Sequence, residues 1–326
     1  MNKTYQNIFD RPYSLYSPID KELFINPGTN YLFELENQGL IQIEGDKAVE
    51  YLNGQISCNV NEVDNDHIRQ GAFCNLKGRI LALADIIKWN GLKMILPLDL
   101  HDLVINALKK TAMFSRVTFK TPQDYKVFGL LIQKTDDCMP FNMPSLPTKH
   151  ECIAHDDFLI YALSEELYIV IVRNQKVSEL VEPFQNENQF RGSLCWHHLK
   201  LTHDMIEIYP STSGELLPHR VGLQYTGHLD FNKGCYKGQE IIARTHYRAK
   251  IKHQLKKFLI NQTNLNHEAR KLMSTDTHRE VGEIVDCCVT TKENLLVLAS
   301  VLIEHPETGY IEGISEHPIE LHEYMG

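Results

Sequence analysis

The chain has 326 residues, of which 43% are apolar and 23% charged, and its formal net charge is −9. That length is too great for one small core and predicts two or three domains, and the composition is that of an ordinary globular protein without low-complexity tracts. The negative balance argues against a surface dominated by phosphate contacts. The polar first seven residues and the absence of any apolar run long enough to span a bilayer predict a cytoplasmic protein that engages no membrane.

Along the chain, a strand at 40–44 leads into a helix at 46–53, with Asp46 as its cap and Gly54 as a left-handed stop. Two β-rich runs, 80–89 and 92–98, flank Asn90-Gly91, the strongest two-residue hairpin signal. A helix follows, capped by Asp99, with Leu100, Leu103, Val104, Ala107 and Leu108 at helical spacing. Pro140, Pro144 and Pro147 mark a loop. The pattern then repeats, with a hairpin of 158–163 and 167–173 and an amphipathic stretch at 177–184. Strand, hairpin and helix occurring twice predict two related α+β layers rather than a parallel βαβ sheet. Beyond residue 250 the runs 256–260, 281–290, 295–302 and 319–322 predict a small barrel-like β module. The expected division is 1–120, 121–250 and 251–326.

The eight cysteines form no CxxC pair and no zinc spacing, so most read as small buried residues. Cys287 and Cys288, adjacent on a β run, should face opposite sides. Among sixteen histidines, His197, His198, His203, His219 and His228 cluster in sequence, but no i, i+4 pair with a carboxylate base stands out, and no metal site is expected. A basic stretch, Arg244, Arg248, Lys250, Lys252, Lys256 and Lys257, reads either as a solvated face or as a contact for an anionic ligand.

The segment Lys233-Gly234-Cys235-Tyr236-Lys237-Gly238-Gln239-Glu240 is the chemical focus. Its glycines allow positive φ or close approach. Residues 239–244 open a helix, whose free N–H groups and dipole, with Lys233 and Lys237, would favour a thiolate at Cys235. The alternative is a small residue in a tight turn.

This octapeptide, with Ala243 and Arg244 after it, resembles the signature of the YgfZ family of folate-binding proteins, relatives of the glycine-cleavage T-protein, an aminomethyltransferase. Ile43-Glu44-Gly45-Asp46, the run 51–55, and Cys74-Asn75-Leu76-Lys77-Gly78-Arg79 are similar to further family elements. The resemblance implies an α+β multi-domain ring of antiparallel sheets and helices, with a C-terminal β-barrel-like domain and a tetrahydrofolate site in the central opening. It implies Cys235 as the working thiol, and Trp196, Lys233, Gly234, Tyr236, Gly238, Gln239, Glu240 and Arg244 as the folate-binding set. Trp196 would stack on the pterin; its alternative is a core tryptophan. Glu207, Glu215 and Arg220 are further polar candidates, alternatively structural ion pairs.

Two departures stand beside the match. The family's second folate-site tryptophan is replaced by Gln38 or Gly39. The aspartate pair of true aminomethyltransferases is replaced by Ala82 and Leu83, which transfer no proton. Asp85 shares a strand face with Leu83 and would substitute only after a register change. The reading implied is a folate-binding protein supporting iron–sulfur cluster assembly or repair, and through it tRNA modification. Iron–sulfur enzymes or cluster-assembly proteins would be its partners on that resemblance. A folate-dependent aminomethyl- or methyltransferase and a tRNA-binding module are the alternatives.

Overall fold

The computed structural model describes residues 3–135, 137–262, 265, 268–290, 294–314, 318–321 and 324. Three large sheets carry the fold. The first is five-stranded and antiparallel, ordered Arg69–Cys74, Ile80–Lys88, Leu92–Pro97, Gln38–Glu44, Thr118–Lys120. Its hairpin is the expected one: Asn90 and Gly91 have φ of 49° and 102°, as a tight turn between right-twisted strands requires. The helix His101–Ala112 packs Val104, Ile105 and Leu108 onto this sheet.

The second sheet, of six strands, is ordered Cys152–Ala154, Phe158–Ala162, Leu167–Arg173, Tyr125–Leu131, Tyr31–Glu34, Phe190–Arg191. Its last pair is parallel and the rest antiparallel. The helix Val177–Asn186 buries Leu180, Val181 and Phe184 against it, the amphipathic face read from sequence.

The third sheet is ordered His253–Ile260, Leu295–Leu302, Glu280–Val289, Lys271–Ser274, Thr308–Ile311, Ile319–Glu320. It curls until Tyr324 N–H donates to Lys257 O on its first strand at 2.9 Å. The fold is thus α+β with antiparallel sheets and a barrel-like C-terminal sheet. Of the run expected at 319–322, His322 lies outside the described residues. Among the described residues no helix is long and apolar enough to cross a membrane.

Several local expectations are corrected. The helix Ala48–Asn53 has Lys47 at its N-cap, with no side-chain cap from Asp46, and Gly54 is right-handed at φ −78°. Asp99 does not cap the helix His101–Ala112; it accepts from Arg11 Nε and Nη2, both at 2.8 Å. Cys287 and Cys288, by contrast, are as expected: in regular pairing with Val297 and Leu296 they face opposite sides, and both are buried because the sheet's two faces are covered there, one of them by the helix Ser193–Thr202.

That helix is the hub. On one side it meets the N-terminal hairpin, Thr4–Ile8 with Arg11–Leu15, where Ser14 N–H donates to Ser193 Oγ at 2.9 Å. On the other it meets the strand Glu280–Val289. A β-bulge between Ile284 and Asp286 turns the Asp286 carboxylate inward. There it accepts from Glu207 N–H (2.7 Å), Tyr209 Oη (2.7 Å) and its neighbour Cys287 N–H (2.8 Å).

Candidate functional site: a central cavity and a signature clamp

Between the first two sheets lies a cavity of about 530 Å³. Its walls are apolar: Leu83, Ile95 and Leu96 from the first sheet, Val127 and Ile169 from the second, and Met205 from the loop after the helix Ser193–Thr202. Strand alternation explains the first wall. On Ile80–Lys88, residues 80, 82 and 84 are buried, while Leu83 and Asp85 face the cavity. Asp85 thus stands on the face of Leu83, as alternation along a regular strand predicts. The strand's pairing is regular from Ala82 to Asp85, and the irregularity falls before it, between Phe73 and Cys74 of the neighbouring strand.

Asp85 accepts from Gln70 Nε2 at 2.8 Å and from Tyr161 Oη at 2.6 Å, and all three side chains line the cavity. Burial raises its carboxyl above the usual range, against the pull of those two hydrogen bonds and of Lys200. His228 also lines the cavity and shares a hydrogen bond with Thr226 Oγ1 at 2.7 Å; burial pushes its imidazole down to about 4, so it stands neutral. Lys200 Nζ donates to Glu207 Oε1 at 3.0 Å, and both residues line the cavity. Behind them Glu207 Oε2 accepts from Arg11 Nη1 (2.5 Å) and Tyr13 Oη (2.8 Å). Burial would raise the Glu207 carboxyl, but Lys200, Arg11 and His197 together hold it well below the usual range.

Of the nine site residues expected from sequence, Trp196 alone lines this cavity. Its indole is 3% exposed, tilted against Phe33 at 5.4 Å, with Gly129 so close that a Cβ there would sit 2.5 Å from the ring. Gln38, one of the two residues at the place of the missing tryptophan, lines the cavity as well. Glu215 and Arg220 do not; they pair with Arg270 and Glu283 respectively.

The signature lies elsewhere, clamped on the turns beside the first sheet. Asp230 Oδ1 accepts from the N–H groups of Asn232 and Lys233, setting the turn. The buried Lys233 then donates from Nζ to Asn53 O (2.7 Å), Ile56 O (2.8 Å) and Cys58 O (2.6 Å), and burial pushes its pKa down to about 8. Its ammonium stands 5.2 Å from the ring of the buried Tyr236. Lys237 N–H donates to Gly54 O at 3.1 Å. Gly238 has φ 86°, and a Cβ there would lie 2.5 Å from Asn75 O. In return a Cβ on Gly78, φ 68°, would lie 3.0 Å from Ile241 Cβ. The signature and the small-residue turn 74–79 therefore fit each other backbone to backbone, before the helix Gln239–Arg248 begins. Gly234 is different: its φ is not positive and nothing lies within 4 Å of its Cβ position.

Cys235 is exposed, as are Glu240 and Arg244, and Gln239 is half-buried. The other cysteines are buried or half-buried, and burial pushes Cys58, Cys74 and Cys152 up to about 12. Among the described residues no group of three or more His, Cys, Asp or Glu side chains is placed to hold a metal ion. Gln70 and Tyr161 are not among the residues expected from sequence: Gln70 is placed opposite Asp85 by strand pairing, and Tyr161 above it by the packing of the second sheet.

No family model matches the chain. Over 251 residues it is 31% identical to a tRNA-modifying protein YgfZ of Hamiltonella defensa, covering 75% of this chain and 72% of that protein. It is 26% identical over 229 residues to the protein of that name in Colwellia psychrerythraea, covering 69% of this chain and 70% of the other. Among solved structures, the glycine cleavage system aminomethyltransferase T from Bartonella henselae superposes with a TM-score of 0.74, over 97% of this chain and 91% of that one, at 12% identity.

Proposed function

We propose that this chain, which belongs to the YgfZ family, holds a reduced folate in its central cavity and serves tRNA modification as a folate-binding protein. The observation that carries this reading is the cavity. Its volume of about 530 Å³ is within the range of cofactor sites, and apolar walls with a few convergent polar groups suit a flat bicyclic ring that carries one hydrogen-bonding edge. The residues present fit a folate: Trp196 and Leu83 for the ring faces, and Asp85 with Gln70 for a polar edge. A bound folate supplies a nitrogen that carries one-carbon units. Ala82 and Leu83, standing where the aminomethyltransferases hold aspartates, give this chain no proton-transfer group at those positions, which supports binding over aminomethyl transfer.

Cys235 is assigned the thiol chemistry, with an iron–sulfur cluster, a persulfide or a folate-linked one-carbon unit as its substrate; its exposure on a signature otherwise locked in place supports this. A net charge of −9 supports a link to tRNA that runs through a client enzyme. The division into 1–120, 121–250 and 251–326 is supported by the three sheets, with Tyr31–Glu34 exchanged into the second.

Titration with tetrahydrofolate, followed by tryptophan fluorescence, tests the folate reading. The chain has two tryptophans, Trp89 and Trp196, so quenching that disappears in Trp196→Phe assigns the site, and a wild type without quenching refutes it. For the thiol, a Cys235→Ala protein that restored cluster-enzyme activity to a deletion strain as fully as wild type would sink the assignment.

A further inference from the structure

Asp85 is a carboxylate built into a cavity wall without a counter-ion. Among the described residues no lysine, arginine or histidine forms an ion pair with it, and Lys200, whose charge acts on it, is engaged by Glu207 at 3.0 Å. Its two hydrogen bonds come from a neutral amide and a neutral phenol, one to each oxygen: Gln70 Nε2 on Oδ1 and Tyr161 Oη on Oδ2. A carboxylate offers about four lone-pair positions, so one remains on each oxygen. Asp85 is partly accessible, and the surface it presents belongs to the cavity wall. Gln70 is its cross-strand partner in regular pairing, and Tyr161 comes from the opposite sheet, so the carboxyl is held from two sides.

We propose that Asp85 reads a paired hydrogen-bond-donor edge on the ligand, an N–H beside an amino group, as in the amidine edge of a 2-amino-4-oxopteridine. This rests on the folate reading above and assigns the pterin end of that ligand to the Asp85 wall. Two parallel N–H···O bonds to a carboxylate are charge-assisted and set orientation as well as affinity. Between apolar walls, removing one partner leaves the other unpaired, so discrimination against a ligand lacking the donors is large.

The test compares tetrahydrofolic acid with its analogue bearing a methyl in place of the 2-amino group, binding each to the wild type and to Asp85→Asn by calorimetry. The wild type should bind the methyl analogue more weakly by about tenfold to a hundredfold. Asp85→Asn should lose a similar factor for tetrahydrofolic acid and discriminate little between the two ligands. The wild-type comparison needs no variant, so it stands even if Asp85→Asn folds poorly. Equal wild-type affinity for both ligands, or full discrimination retained by Asp85→Asn, overturns the Asp85 assignment and leaves the folate reading intact. Failure of the wild type to bind either ligand overturns both.

Discussion

The signature contains two glycines that look interchangeable in sequence and that the structure separates. At Gly238, alanine would be held at φ 86° with its Cβ 2.5 Å from Asn75 O, 3.2 Å from Cys74 Cβ and 3.3 Å from Gly78 Cα. A left-handed non-glycine residue costs roughly 1–2 kcal/mol, and a clash against backbone, which cannot swing away as a side chain would, adds roughly 1–3 kcal/mol. The expected loss is about 2–5 kcal/mol. Unfolding entropy of about 2.1 cal/mol/K per residue, over 326 residues, gives about 0.7 kcal/mol/K, so Gly238→Ala should melt roughly 3–7 °C below wild type. Gly234→Ala, with open space around its Cβ position and no positive φ, should be neutral, or stabilise by about 0.4–1 kcal/mol through the unfolded chain. Melting followed by circular dichroism, on the two variants and wild type side by side, decides it. If Gly234→Ala falls as far as Gly238→Ala, or Gly238→Ala melts with wild type, the clamp between the signature and the turn 74–79 is wrong.

Lys233→Met keeps the side chain's length while removing the donor to three buried carbonyls; a cost of about 3 kcal/mol should appear as a melting temperature lower by roughly 4 °C, and an unchanged melt would refute the lock. In the native protein, a thiol reagent should find one fast cysteine, Cys235, and Cys235→Ser should abolish that phase while leaving the melting temperature within about 1 °C; a fast phase that survives the substitution disproves the exposure argument. Glu207 has a depressed carboxyl pKa, so its contribution to stability is complete above the unfolded value near 4.5 and is lost as pH falls below it. Glu207→Gln should therefore melt well below wild type at pH 7, and the gap should narrow below about pH 4.5; a gap that stays constant down to pH 3.5 contradicts the assignment.

What was legible in the sequence was local. Asn90-Gly91 specified its hairpin because few residue pairs tolerate two successive positive φ angles, and the strand Leu295–Leu302 was read to the residue from a plain apolar run. The N-terminal hairpin escaped because its turn rests on Phe9 at φ 48°, with no Gly or Asn to announce it, and because Pro12 argues against a strand. Asp99 was read as a cap because a helix follows it, whereas its partner, Arg11, lies 88 positions away. Lys233 was read as a charge placed to activate Cys235, and the structure spends that charge on carbonyls of residues 53–58. Asp85 was correctly placed on the face of Leu83, but whether that face met a cavity depended on the packing of a second sheet, which periodicity does not encode.

The same contrast explains why the cavity and the joint between the C-terminal sheet and the rest of the chain use one set of side chains. Glu207 faces Lys200 across the cavity wall and, through its other oxygen, Arg11 and Tyr13; its own N–H is fixed by Asp286 from the bulged strand. Arg11 in turn reaches Asp99, just before the helix His101–Ala112, and Ile208 O. Burying this many charges costs several kcal/mol per ion before their mutual attraction returns it, and apolar side chains of equal volume would hold the joint about as firmly. Apolar packing, however, tolerates slippage, while a carboxylate with fixed partners on each oxygen stands in one place. Residues 205–208 form part of the cavity wall, so the joint's directional bonds fix where that wall stands opposite Asp85. The polar network is thus better understood as positioning the binding surface than as a source of stability, and it ties the shape of the cavity to the docking of the third sheet.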